Sequence, residues 1–230
     1  MGETPQTTSL KLLSSHDEAG NVRTFVFETG GLTWVAGQAQ AYILPQAGSD
    51  EKARERWFTI SSAPSEKTIN ISTRVSQSAF KQALNKLRPG DQIQAHSLEG
   101  DFTWEARQGA RVVLIAGGIG ITPFRSFLTE RHIAGKTLGA TLIYFNRTND
   151  VPFRRELEAL AAKHRDFTIH IVIGESITAD RIAQLAPPPK DVTFYLSGPE
   201  PMVETVGGTL KERGFSIKQD WFPGYDDKTY

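Results

Sequence analysis

Apolar and polar positions change rhythm midway along the chain. In the first half they form short runs with rough alternation, each closed by a turn signal. This predicts strands at Asn21–Thr29, Ala39–Leu44, Arg56–Ser61, Thr68–Val75 and Gln92–His96. Between them stand Gly20-Asn21, Gly30-Gly31, Pro45, Ala63-Pro64 and the run Arg88–Asp91. One helix interrupts them, Ser78–Leu87, with Phe80, Leu84 and Leu87 at helical spacing. Many short strands with frequent turns predict a small antiparallel barrel. The second half alternates strand and helix. Strands are predicted at Val112–Ala116, Ala140–Phe145, Thr168–Ile173 and Val192–Leu196, and helices at Pro123–Ala134, Pro152–His164, Ala179–Leu185 and Pro201–Arg213. That rhythm predicts an α/β domain with a parallel sheet covered on both faces. The change falls near Trp104–Gly109, so the predicted domains are 1–106 and 107–230. The Pro187-Pro188-Pro189 run reads as a stiff loop.

Arg111–Phe124 concentrates the most chemistry. Val112–Ala116 is a buried, β-branched strand, Gly117, Gly118 and Gly120 permit a sharp turn, Thr122 suits a helix cap and Pro123 a first helical position. A helix start behind such a turn offers free N–H groups and a positive dipole end, which suit a pyrophosphate. No Gly-Lys-Ser/Thr follows, and the order is not G-x-G-x-x-G. A plain strand-to-helix turn fits the same residues, so this segment needs a second motif.

Composition narrows the picture. The chain has 230 residues, 39% hydrophobic and 23% charged, with zero formal net charge. No basic excess points to nucleic acid or to an anionic membrane. Without cysteine there is no disulfide, cysteine-ligated cluster, thiolate zinc site or thiol nucleophile. The five histidines lack ligand-like spacing, so no metal site is expected. The longest uncharged apolar run, Val112–Phe124, is too short to span a bilayer, and the N-terminus is polar. A cytoplasmic protein is the expectation.

Arg56-Trp57-Phe58-Thr59 supplies the second motif. It resembles the R-x-[YF]-[ST] signature of the ferredoxin–NADP reductase superfamily. Gly117–Pro123 matches that family's G-G-x-G-x-T-P, Ser197–Met202 resembles its C-G-P-x-x-M, and Asp220-Trp221-Phe222 its E-x-[FY]. The order is the family's, through nearly the whole chain. Ala36-Gly37-Gln38, at the place of P-G-Q, is a looser match, and a plain turn fits it equally. The resemblance implies a flavin-binding barrel followed by a nicotinamide-nucleotide domain.

It also implies roles. Arg56 would bind flavin phosphate, for which a guanidinium fork is suited. Phe58 would stack on the isoalloxazine and Thr59 contact the N5 region; the family often has tyrosine at Phe58. Ser78, Ala79 and Phe80 resemble the second flavin-phosphate segment, which favours FAD over FMN, although a simple N-capping serine fits the same residues. Gly118, Gly120, Thr122 and Pro123 would hold the NAD(P)H pyrophosphate. Asn146 and Arg147 end the next strand, where parallel sheets meet ligands. No acidic residue stands there for ribose hydroxyls. Arg147 suits a 2′-phosphate, which favours NADPH, and a solvent-exposed arginine is an equally good account. Ser197 takes the place of the family's nicotinamide-facing cysteine, with Gly198, Pro199 and Met202 shaping that turn. Phe222 would cover the flavin face, and Tyr225 would contribute to the same site.

The implied protein is an FAD-dependent NAD(P)H oxidoreductase that passes electrons to a separate small carrier such as ferredoxin or flavodoxin. Two other readings fit the same residues: a free-flavin or ferric-chelate reductase, and a non-catalytic electron-transfer subunit.

Overall fold

The structure, a computed structural model, describes residues 7–48, 54–106, 110–186 and 192–222, with the side chain of Phe222 excepted. Tyr225 and the Pro187–Pro189 run lie outside the described residues.

Six antiparallel strands form the first sheet: β1 (Thr8–Ala19), β2 (Val22–Phe27), β3 (Ala39–Ile43), β4 (Glu55–Thr59), β5 (Ile69–Arg74) and β6 (Gln92–Glu99), in the order β4-β3-β6-β1-β2-β5. A bridge between Ile60 and Ile71 brings its two edges together, so the sheet curls into a barrel. Leu10, Leu12, Phe25, Phe27, Tyr42 and Ile71 fill the interior. Helix α1 (Ala79–Lys86) adds Phe80 and Leu84 to it.

The second sheet is parallel throughout: β7 (Val112–Gly117), β8 (Ala140–Asn146), β9 (Phe167–Ile173), β10 (Thr193–Pro199) and β11 (Ser216–Phe222), in the order β11-β10-β7-β8-β9. Alternation along β7 shows how its two faces are used. Val112, Leu114 and Ala116 pack with Phe124, Phe127 and Leu157, from α2 (Thr122–Ile133) and α3 (Arg154–Lys163). Val113 and Ile115 pack with Ile182, Val203 and Val206, from α4 (Ala179–Leu185) and α5 (Glu200–Glu212). A strand buried on both faces has to be apolar at every position, as this one is.

Two strands escape the sequence pattern. In β1, alternation stops after Leu12, and Ser14–Glu18 is polar, yet the strand is central, paired to β2 and β6. In β11 polar residues dominate because it is an edge, paired only to β10. The pairings of β1 with β6 and of β11 with β10 join segments distant in the chain and leave no local signature.

Barrel and parallel sheet are packed together. Gly37 shows how tightly: its φ is +96°, and a Cβ there would sit 2.1 Å from the Phe102 carbonyl oxygen and 2.3 Å from the ring of Phe127 on α2. The Ala36–Gln38 turn therefore needs glycine for steric reasons.

Candidate functional site

Every β7–β11 strand ends on the same sheet edge, and there β7 runs into the glycine turn. The chain does not reach α2 through a capped loop. Residues Gly118–Ile121 form a 3-10 turn continuous with the helix, and Gly118 has φ +54°. This corrects the expectation for Thr122. Its backbone is already helical, its side chain is buried, and its hydroxyl donates to the Ile119 carbonyl at 3.1 Å. Pro123 is buried as well. The free N–H groups of the first turn belong to the glycine segment, one turn earlier than expected.

The turn borders a cleft of about 670 Å³. Gly117, Gly118, Asn146, Arg147, Pro199 and Met202 line it from the α/β half, and Arg74 from the barrel. The glycines are sterically required. A Cβ on Gly120 would lie 2.2 Å from the Ser197 carbonyl oxygen, and one on Gly117 would lie 2.7 Å from the Met202 sulfur. Gly198 packs against Gly117 and the same sulfur, where a Cβ would lie 3.2 Å from the Gly117 Cα and 2.9 Å from Met202. Asn146 is 8% exposed, and its Nδ2 is a buried donor with no partner. Such a group is costly unless a ligand satisfies it. A deep, glycine-cradled cleft with an orphaned donor and a helix start suits a dinucleotide.

Ser197, two residues before the cleft-lining Pro199, is fully buried. Its hydroxyl donates to Asp220 Oδ2 at 3.3 Å across the β10–β11 pairing. Burial pushes the Asp220 carboxyl up to about 7; the Ser197 hydrogen bond pulls it down, and the charge of Asp101, beyond β6, raises it further. Asp220 therefore titrates near neutrality while touching the residue expected to meet the nicotinamide.

On the barrel side, Arg56 is half-buried beside Glu55, whose carbonyl accepts from its Nη1 at 2.6 Å. Thr59, near the end of the same strand, is 4% exposed. Ser78 precedes α1 but makes no capping bond, and its Oγ is buried without a partner. The capping account of Ser78 is thereby replaced. A helix start with an unused hydroxyl suits an anion, and Ala79, the first residue of α1, is exposed beside it. Phe80 is fully buried in the barrel core, in keeping with its helical spacing to Leu84 and Leu87, and only its backbone is left to the phosphate segment. Phe58 is 9% exposed, with its ring 5.7 Å from Phe80 and 6.2 Å from Tyr42. Trp57, its neighbour, carries the exposed ring, at 42%.

Two charged cleft residues were not anticipated. Arg74 ends β5 and reaches the cleft from the barrel, a placement that only the packing of the two sheets creates. Glu175 follows β9 at the ligand-facing sheet edge, where strand-end reasoning had a signal to offer. Its carboxylate is held by Arg181 through contacts of 2.7 and 3.1 Å. Of Phe222 the backbone is described; it pairs with Pro199. Among the described residues no group of three or more histidine, aspartate or glutamate side chains forms a metal site, and no helix is long and apolar enough to cross a membrane.

An antiparallel barrel packed on a nucleotide-type parallel sheet is the architecture of the two-domain flavin- and nicotinamide-nucleotide-dependent oxidoreductases. Known proteins agree. Residues 114–207 match the Oxidoreductase NAD-binding domain family. NADH-cytochrome b5 reductase 2 of Scheffersomyces stipitis is 30% identical over 222 residues, covering 86% of this chain and 73% of that protein. Ferredoxin–NADP reductase B of Sorangium cellulosum is 33% identical over 147 residues, covering 63% and 56%. In fold, the ferredoxin NADP+ reductase of Neisseria gonorrhoeae with bound FAD and NADP superposes with a TM-score of 0.80 at 18% identity, covering 95% of this chain and 99% of that one. This chain belongs to the ferredoxin–NADP reductase superfamily. It spans between 47% and 74% of the length of the relatives compared.

Proposed function

We propose that this chain is an FAD-dependent NAD(P)H oxidoreductase that accepts hydride from NADPH and delivers electrons to a separate one-electron carrier protein, such as ferredoxin or flavodoxin. The cleft carries the proposal: a glycine-walled pocket with an orphaned Asn146 donor opens between the nucleotide sheet and the barrel. Bound flavin would supply the chemistry that converts a two-electron hydride into single-electron transfers. The chain's own residues bind and orient. The Gly117–Gly120 turn would receive the pyrophosphate, with Arg74 closing the cleft from the barrel. Arg147, exposed at the rim, together with Arg74 supports a 2′-phosphate; the nearby carboxylate of Glu175 is already paired. Arg56 and the Ser78–Ala79 segment would take the two flavin phosphates. Thr59 and Ser197 would flank the reacting rings, and Phe222 would cover the flavin face, with Tyr225 beside it. The domain division at residues 106 and 107 belongs to the same proposal.

An anaerobic visible titration tests it. FAD-loaded protein is expected to bleach with NADPH at lower concentration than with NADH. A bound flavin that neither nucleotide reduces would overturn the oxidoreductase reading, and equal or better bleaching by NADH would overturn the NADPH preference. Reduced protein mixed with ferredoxin, flavodoxin or cytochrome b5 then identifies the acceptor class by the rate of carrier reduction. Arg56→Ala is expected to weaken FAD binding by about tenfold, the scale of one lost charge-assisted contact. Fluorescence titration of the apoprotein with FAD measures this, and an unchanged Kd would remove Arg56 from the flavin site.

A further inference from the structure

Helix α2 does more than open the cleft. One turn past the glycine segment, Arg125 is 9% exposed and reaches both halves of the molecule. Its Nη1 donates to the Ser61 carbonyl at 3.0 Å, two residues beyond Thr59. Nη1 and Nη2 also grip Glu66, at 2.5 and 2.8 Å, in the 3-10 turn Pro64–Glu66 that connects β4 to β5. Its Nε donates to Glu156 on α3 at 3.2 Å. Two neighbours on α2 reinforce the seam. Ser126 donates to the Ser62 carbonyl at 2.7 Å, and Glu130 accepts from the Ser65 amide and hydroxyl, both at 2.9 Å.

The segment held here leaves the strand of Arg56 and Thr59, and the helix holding it starts at the turn that borders the nucleotide cleft. A guanidinium satisfied in three directions by planar, charge-assisted bonds fixes orientation as well as distance, which an ammonium on a flexible stem does not. The two carboxylates outweigh the cost of burial, so the charge is retained.

We infer that Arg125 is a positioning residue for hydride transfer: it sets the β4 flavin strand against the nucleotide turn, and thereby the approach of nicotinamide to flavin, without touching either. This rests on the oxidoreductase reading above. Reaction rates respond steeply to small errors in approach, whereas most of each cofactor's proposed binding surface lies on one side of the seam, Arg74 at the nucleotide cleft being the exception.

The test is stopped-flow flavin reduction in FAD-loaded Arg125→Lys, which keeps the charge and loses the three-way fork. At saturating nucleotide the reduction rate is expected to fall by about tenfold or more, while the Kd values for FAD and nucleotide change by less than about threefold. The nicotinamide–flavin charge-transfer band is expected to weaken in step. Should Arg125→Lys not accumulate folded, Glu66→Gln, which leaves shape and removes one anchoring charge, is expected to show the same split to a smaller degree. A lowered Tm with an unchanged saturating rate, in either folded variant, would show a merely structural clasp and overturn the inference alone. A wild type that holds FAD but is reduced by neither nucleotide would overturn the oxidoreductase reading, and this inference with it.

Discussion

Gly120→Ala is expected to weaken nicotinamide-nucleotide binding by about 100-fold and to destabilise the fold by about 3 kcal/mol. The reason is backbone geometry. The new methyl would stand 2.2 Å from the Ser197 carbonyl oxygen, 2.5 Å from its carbon and 2.7 Å from the Gly198 Cα. No flexible side chain is available to swing aside, so the end of β10 must move away from the Gly118–Ile121 turn. That displacement carries Ser197, Gly198 and Pro199 with it and opens the cleft wall they share with Gly117. Gly208 provides the control. It lies in α5 with nothing within 4 Å of a Cβ, so alanine there should leave binding unchanged and add up to about 1 kcal/mol of helix stability. Calorimetric titration with the nucleotide and urea unfolding of both variants would measure the contrast. Wild-type affinity in Gly120→Ala would mean that the turn does not contact the ligand.

Asp220→Asn is expected to gain stability over wild type as pH rises, by about 2 kcal/mol more at pH 8 than at pH 5. The sign follows from the direction of the shift. Burial raises the folded-state value from 3.8 to about 7, so between those values the unfolded chain releases a proton that the folded chain retains. Wild-type stability therefore falls with pH across that window and levels off above it. Asparagine keeps the shape and can accept from the Ser197 hydroxyl without ever carrying charge, so its contribution is flat. Contributions from every other titrating group are common to both chains and cancel in the difference. Urea unfolding of the two proteins at several pH values tests this. A pH-independent gap would mean that Asp220 ionises normally in the folded protein, through water reaching the β10–β11 edge.

Much of the architecture is written in local pattern. Uninterrupted apolar runs at Val112–Ala116 and Ala140–Phe145 announce strands buried on both faces, and they form the centre of the parallel sheet. Ala179–Leu185 is a helix with the predicted bounds, its Thr178 side chain accepting from the Arg181 amide as a cap should. Glycines at 117, 118 and 120 marked the turn because few other residues tolerate such close backbone approach. These features depend on neighbours in the chain, and a sequence displays neighbours directly.

What tertiary structure decided is where polar and aromatic groups end up. Ser78 looks like a cap and is instead an unsatisfied hydroxyl. Phe58, which resembles a flavin-stacking aromatic, sets its ring beside Phe80 and Tyr42 at the barrel core. In the sequence Arg74 and Arg125 read as ordinary charged residues, and Asp220 only as the first position of the E-x-[FY] match. Their placement arises only in the folded chain: one arginine then lines the cleft, the other bridges Ser61, Glu66 and Glu156, and the carboxylate is partly buried against Ser197. Periodicity determines which face of an element is buried, because that is a property of consecutive residues. Desolvation and multi-point hydrogen bonding are properties of groups distant in the chain, from 31 to 64 positions apart around Arg125, and they exist only once the chain has folded.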